Sequence, residues 1–400
     1  MPVIPPPPPT SPQPDGRSAV RPSVLQLPVS RIAEVSALGF GDPDIVTLWY
    51  GEGDLSTPDF ICDAATAALK RGETFYTYKR GLPQLRQAVA HYLTDLYARP
   101  TAMDRITVTS SGMNAIMLAC QAILDAGDNL AAVSPVWPNV AGAVGALGAE
   151  VRAVHLTPRQ DGGWSFDLDR VIAACDARTR AVFVNSPGNP TGWVMPQRDA
   201  EDLLAFTRSR GLWLIADEVY ARIVYEGRAA PSFHDLTEPE DRVIVINSFS
   251  KSWAMTGWRL GWMAAPEELT PAIDKLVEYN TSGAPAFLQE GALTAVTEGE
   301  PLVARIVEQC RQGRDILVDG LQRFPRITLA RPEGAFYAFC RVDGMADSLS
   351  FAKDILHRCK VGVAPGSAFG EAGEGYLRLC FASSADKLRL ALDRLTPALK

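Results

Sequence analysis

Positive charge is in deficit in this chain: 39 Lys and Arg stand against 46 Asp and Glu, a formal charge of −7. Without a basic surplus to neutralise phosphates, nucleic acid is not expected as a general partner. Apolar runs are short, and none approaches the roughly 20 residues that cross a bilayer, so no membrane span is expected. Cysteine is scarce and scattered. Cys62, Cys120, Cys175, Cys310, Cys340, Cys359 and Cys380 have no C-x-x-C spacing, which reads as reduced core thiols and not as a disulfide frame. The four histidines, His91, His155, His234 and His357, lie far apart and form no H-E-x-x-H motif, so no metal site is expected. The opening MPVIPPPPPTSPQP has neither a basic n-region nor an apolar h-region. It does not read as a signal peptide, and the cytoplasm is the expected compartment.

What remains is an ordinary globular composition, 47% apolar and 21% charged over 400 residues, with length for two or three domains. Residues 1–22 are rich in proline and polar residues. They read as a polyproline or disordered tail, because such a segment cannot bury a core.

From about residue 105, short β-branched runs ending in turn residues alternate with helical patterns. The candidate strands are RITVTS (105–110), NLAAVSP (129–135), VRAVHL (151–156), AVFVNSP (181–187), LWLIADE (212–218), VIVINSF (243–249) and RLGWMAA (259–265). Segments such as 114–127 and 200–211 carry apolar residues three and four apart and close on glycine, as helices do. This alternation predicts an α/β fold: a mostly parallel seven-stranded sheet flanked by helices. RLGWMAA follows VIVINSF too closely for a helical crossover, which leaves an antiparallel strand open there. Beyond about residue 270 the pattern changes. A long amphipathic helix (301–324), strands with a hairpin (327–342), a helix (350–359), the strand YLRLCF (376–381) and a last helix from 383 predict a smaller α+β unit. Two such units would enclose a cleft.

Ligands of parallel α/β sheets bind beyond the carboxyl ends of the strands. The polar residues delivered there are Asn189 in GNPTG, Asp217 and Tyr220, Ser248, Ser250 and Lys251, Arg259, Trp137, and Ser111 with Gly112 at a helix start. This set suits a planar, phosphorylated, pyridine-type aldehyde. A lysine among apolar neighbours and near Arg259 has a lowered pKa and can form a Schiff base. A carboxylate keeps a pyridine nitrogen protonated, and Trp137 can stack on the ring. Hydroxyls, an arginine and helix N-terminal amides make an anion site.

With SFSKSWAMTGWRLG, NSPGNPTG and ADEVY in that chemistry, together with GEGDLSTP (51–58) and FYTYKRGLPQLR (75–86), the chain resembles the class I/II aminotransferases of the aspartate aminotransferase fold. These use pyridoxal 5′-phosphate (PLP), and the resemblance covers about residues 25–400. It implies an N-terminal arm contributing to the small domain over 23–55, a large PLP-binding domain over 56–290 and a small C-terminal domain over 291–400. It implies that Lys251 is the Schiff-base lysine and proton carrier and that Asp217 pairs with the ring nitrogen. Asn189 and Tyr220 would contact the ring hydroxyl, and Ser111, Gly112, Ser248, Ser250 and Arg259 would hold the phosphate. Tyr76 would reach the phosphate of the other subunit of a homodimer with shared sites. Arg378 would clamp the substrate carboxylate, aided by Gly51, Trp137 and Asn189.

The implied activity moves the amino group of an L-amino acid (neutral, aromatic or aspartate-like) to a 2-oxo acid such as 2-oxoglutarate, in ping-pong fashion. A PLP-dependent C–S β-lyase and a non-catalytic PLP-binding protein are the alternatives. Met113 stands where some aspartate-specific members carry lysine, so strict dicarboxylate preference is not expected. Gly53 replaces the proline common in this turn, while Trp49 and Tyr50 are expected either to wall the side-chain pocket or to pack. Thr281 and Ser282 are further candidates for the partner's pocket.

Overall fold

The computed structural model describes residues 20–400. The proline-rich stretch expected over 1–22 therefore lies, up to residue 19, outside the described residues.

Seven strands form the large sheet: β1 Ile106–Thr109, β2 Asn129–Ser134, β3 Glu150–His155, β4 Thr179–Asn185, β5 Trp213–Asp217, β6 Val243–Ser248 and β7 Gly261–Ala264. Their order is β1-β7-β6-β5-β4-β2-β3. The ladders among β2 to β6 are parallel. β7 alone runs antiparallel, to both β6 and β1, which resolves the strand left open above. Side-chain alternation explains why these strands read as unbroken apolar runs. Leu130, Phe183, Ile215, Ile244 and Met263 enter one core, and Ala131, Val182, Leu214, Val245 and Trp262 enter another on the opposite face. Both faces are covered, so the middles of the central strands are apolar and their polar residues fall at the ends. The seven cysteines are all free, and five are buried.

The chain leaves β1 into helix α1 (Gly112–Ile123) and leaves β6 into the short helix α2 (Phe249–Ser252). Helix α3 (Ala286–Glu298) is followed, after Gly299, by α4 (Glu300–Leu321), whose apolar face carries Leu302, Val303, Ile306, Cys310 and Leu317 into the core. α4 leads into a second sheet of β8 (Ile327–Thr328), β9 (Tyr337–Val342), β10 (Ala364–Pro365) and β11 (Tyr376–Cys380), ordered β8-β9-β11-β10 and antiparallel throughout. Helices α5 (Ser348–Cys359) and α6 (Ala385–Leu399) complete this unit. The N-terminal segment joins it, because Val46–Thr47 pairs in parallel with Val361–Gly362. That pairing carries residues 49–53 past the end of the large sheet. Across the junction, Tyr225 Oη donates to the Ala335 carbonyl at 2.6 Å, seating the start of β9 against the large unit. Among the described residues no helix is long and apolar enough to cross a membrane.

Candidate active site

The parallel strands end along one edge. Asn185 and Asp217 lie opposite each other in the β4–β5 ladder, and Ser248 and Thr109 both face Gly261 across β7. Beyond that edge, under the N-terminal segment and against the small unit, is a cavity of about 440 Å³. Thirteen of the residues singled out from the sequence line it: Tyr50, Gly51, Gly112, Met113, Trp137, Asn189, Asp217, Tyr220, Ser248, Ser250, Lys251, Arg259 and Arg378. Ser111 stands just behind Gly112, where its Oγ accepts from Asn114 N at 2.9 Å and caps α1. Tyr76 is not among the lining residues and is 93% exposed. Thr281 and Ser282 do not line the cavity either.

Lys251 projects from α2, one turn beyond the buried end of β6. Its Nζ donates to the Gly51 carbonyl at 2.6 Å, a contact spanning 200 positions of sequence. Burial pushes the amine down to about 8, with Arg378 and Arg259 adding repulsion and Cys380 and Glu52 opposing it. The neutral amine, the nucleophilic form, is thus within reach of physiological pH. Asp217, 3% exposed, ends β5. Burial raises its carboxyl to about 7, against a bond from Val219 N–H and the attraction of Lys251. A buried acid without a cation at contact is held ready for a positive or protonatable partner.

Arg378, on β11, is 2% exposed. Its guanidinium lies between the rings of Tyr337 and Phe369, with Cζ 4.6 and 4.9 Å from their centroids. Nη1 donates to Asn189 Oδ1 at 3.0 Å and Nη2 to the Trp49 carbonyl, while Nε is buried without a partner. Asn189 is itself held by its N–H, which donates to Asn185 Oδ1 at 2.8 Å. Trp49 packs its ring against Gly362 and contributes its carbonyl here, whereas Tyr50 lines the cavity and bonds Ser36 Oγ at 2.6 Å.

The opposite end is a cradle of hydroxyls and amides. Ser248 Oγ donates to Ser250 Oγ at 2.9 Å. Arg259 adopts a left-handed backbone (φ 54°) and donates to the Thr256 carbonyl at 2.7 Å. Gly261 is what lets α1 start so close: a Cβ there would lie 2.7 Å from the Gly112 nitrogen.

The cavity also holds residues not singled out from the sequence. Asn185 was visible as a polar residue ending an apolar strand, the same signal that marks Asp217. Tyr337 carried no such signal, since an aromatic residue in a strand reads as core. It is fully buried, and its hydroxyl lies 2.6 Å from that of Tyr220.

Residues 43–395 match the family model "Aminotransferase class I and II". The chain belongs to this family. The aspartate aminotransferase of Thermotoga maritima is 32% identical over 376 residues, covering 93% of this chain and 97% of the relative. A probable aspartate/prephenate aminotransferase of Aquifex aeolicus is 33% identical, covering 96% and 97%. Among solved structures, the alanine aminotransferase of Pyrococcus furiosus superposes with a TM-score of 0.88 at 28% identity, covering 95% of this chain and 99% of that one. The protein is a transaminase with the PLP-dependent transferase fold, and its cofactor is pyridoxal 5′-phosphate. The residues present fit that group. One cavity of sufficient volume offers an amine of lowered basicity, a buried carboxyl and a cradle of hydroxyls, a helix-start amide and an arginine. The unpartnered Arg378 Nε lies at the other end.

Proposed function

We propose that this aminotransferase moves the amino group of an L-amino acid with a neutral or aromatic side chain to a 2-oxo acid such as 2-oxoglutarate, in two half-reactions of ping-pong type. The observation that carries the reading is the grouping, in one cavity, of Lys251 and Asp217, both with displaced protonation, and of Arg378 held between two rings. When bound, the cofactor supplies a carbonyl carbon for covalent capture of amines and an electron-accepting ring. Lys251 would be the attachment point and, once free, the base that carries a proton from the substrate Cα to the cofactor's carbonyl carbon. Its amine starts at the Gly51 carbonyl, which fixes it at the cavity wall. Asp217 would pair with the ring nitrogen and keep it protonated, while Asn189 and Tyr220 would bond the ring hydroxyl. Ser111, Gly112, Ser248, Ser250 and Arg259 take the phosphate. Arg378 clamps the α-carboxylate with Asn189 and the Gly51 segment beside it, its plane held by the two flanking rings.

The side-chain preference rests on the remaining wall. Ile32, Tyr50, Met113, Ile116 and Trp137 are apolar or aromatic, and a pocket of this kind discriminates mainly by size and desolvation. Similar relatives carry aspartate, aspartate/prephenate and alanine in their names, so the family alone leaves this choice open. The exposed Phe75, Tyr76 and Tyr78 are read as a subunit contact that sends Tyr76 into the neighbouring site of a cytoplasmic homodimer.

The test is a half-reaction screen, mixing the PLP form with single amino acids and ranking the rates at which its visible absorbance bleaches. Aromatic or neutral amino acids should lead, and 2-oxoglutarate should then restore the band with release of glutamate. Ammonia and pyruvate from cystathionine with no glutamate from any donor would replace this reading with a lyase.

A further inference from the structure

Two phenols in contact raise a question of proton direction. Tyr220 and Tyr337 have their hydroxyl oxygens 2.6 Å apart with rings nearly perpendicular, and both are buried. Burial raises both far above the ordinary phenol range, so each carries its proton at working pH. Two protons and one oxygen–oxygen contact leave one O–H over. If Tyr337 donates to Tyr220, the spare proton belongs to Tyr220 and can be offered to the cavity. If Tyr220 donates to Tyr337, Tyr220 has nothing to give.

The surroundings of Tyr337 favour the first arrangement. Its ring face is covered by the Arg378 guanidinium at 4.6 Å, and a cation over the ring stabilises the more electron-rich phenol and holds the ring plane. Its hydroxyl is also hemmed in by the N-terminal segment: a Cβ on Gly51 would fall 2.0 Å from Tyr337 Oη. The same Gly51 supplies the carbonyl that receives Lys251 Nζ. One side chain therefore touches the carboxylate clamp, the residue facing the ring hydroxyl and the backbone that parks the lysine.

We propose that Tyr337 is a positioning residue: its hydroxyl donates to Tyr220, which thereby presents its own O–H to the cofactor's ring oxygen, while its ring sets the plane of Arg378. This rests on the proposed roles of Lys251, Tyr220 and Arg378. A chain of hydrogen bonds ending on a negative oxygen strengthens each member, so the Tyr337 hydroxyl acts on the cofactor without touching it.

The sign of the effect follows. A donor to the ring oxygen favours the less protonated form of the bound cofactor, so a weaker donor raises the pH midpoint of its visible absorbance change. Tyr337→Phe should raise that midpoint by about half a pH unit or more, the scale of a lost charge-assisted bond. The KM for the amino acid should stay within about twofold, because the ring remains under Arg378. Tyr337→Leu, which removes the ring as well, should add a rise in KM of about tenfold or more. Acting through Tyr220 has a further signature. Tyr220→Phe should shift the midpoint by more, and Tyr337→Phe placed on top of it should add nothing.

An unmoved midpoint in Tyr337→Phe, or full additivity with Tyr220→Phe, would overturn the inference. So would equal KM values for the Phe and Leu variants. Failure of the underlying reading looks different: the wild-type protein would then have no visible band that Lys251→Ala abolishes. Should Tyr337→Leu fail to fold, the Phe variant and the double variant still decide the question of the hydroxyl.

Discussion

Asp217 is held in a condition that favours function over stability. Its carboxyl is raised to about 7 by burial, against an unfolded value near 3.8. Between those two pH values the folded state binds the proton that the unfolded state has released, so stability falls as pH rises through the window. Below it the group is neutral in both states and the penalty is absent. Above it the penalty is complete, on the order of a few kcal/mol at about 1.4 kcal/mol per pH unit. Asp217→Asn should therefore raise the thermal midpoint of the cofactor-free protein at pH 8, with the gain shrinking as the pH is lowered towards 4. The same variant should lose activity by orders of magnitude, since the pairing proposed for the ring nitrogen is lost. Thermal scans of both apo-proteins across pH measure the first half, and steady-state turnover measures the second. A variant no more stable at pH 8 than the wild type would argue that a neighbouring group already neutralises Asp217.

Lys251 makes the complementary case. With its amine near 8, about one molecule in ten carries the neutral form at pH 7, where an ordinary lysine would carry well under one in a thousand. Capture of added PLP by the apo-protein should speed up with rising pH and level off above about 8. Stopped-flow absorbance checks this, and a midpoint near 10 would mean that the amine is solvated before capture. The structural surroundings responsible are only partly legible in sequence. The apolar run before Lys251 and the serines around it can be read directly, but the Gly51 carbonyl that receives its proton is 200 residues away. Arg378 shows the same limit. Alone, an arginine near a C-terminus reads as solvated, and only the strand it sits on and the rings either side explain its burial.

At the scale of elements, the approach of α1 to the end of β7 decides whether a phosphate can be held. Gly261 sits opposite both Thr109 and Ser248, and a Cβ there would meet the Asn247 carbonyl oxygen and the Gly112 nitrogen at 2.7 Å each, both backbone atoms. Neither can step aside as a side chain would. Gly261→Ala should push the Ser111–Gly112 start away from the strand edge and weaken PLP binding by about tenfold or more, since helix-start amides lose their aim within the first turn. Equilibrium titration of the apo-protein with PLP measures this, with circular dichroism to verify that the sheet persists. Undiminished affinity would place the phosphate on the serines and Arg259 alone.

The elements themselves were read from sequence to within about two residues wherever a strand was long and buried on both faces, because β-branched runs bounded by turn residues admit few other readings. Val46–Thr47, Ala364–Pro365 and Val361–Gly362 escaped. Two-residue strands show no period, and tertiary pairing alone defines them. Tyr337 escaped for a different reason: its hydroxyl matters only because β9 begins beside Tyr220, which is a fact of domain packing.

At the scale of the molecule, the chain leaves large aromatic side chains exposed. Phe75, Tyr76 and Tyr279 are 85%, 93% and 87% exposed, large aromatic surfaces that mark contact sites when they cluster. Segment 75–81 and the helix Thr270–Asn280 are already tied together, with Lys79 donating to Glu278 at 2.5 Å and the Tyr78 and Lys79 carbonyls backing Gly283. These aromatics therefore belong to one surface and not to unrelated loops. If that surface joins two copies and delivers Tyr76 to the neighbouring cavity, each site needs residues from both chains. The arrangement has a consequence no monomer can imitate. Lys251→Ala lacks the attachment amine in both of its sites, and Tyr76→Ala lacks the phosphate contact in both. In a mixed dimer, one site combines Lys251 from the Tyr76→Ala chain with Tyr76 from the Lys251→Ala chain, and is whole. Unfolding and refolding the two variants together should therefore recover up to about a quarter of wild-type turnover at a cofactor concentration that fills the wild-type site but not the Tyr76→Ala site, because half the dimers formed at random are mixed and each carries one intact site of two. Each variant refolded alone should stay well below that level. No recovery, in a mixture that sedimentation velocity finds dimeric, would place Tyr76 outside the partner's site and leave the aromatic surface as an interface without a catalytic share.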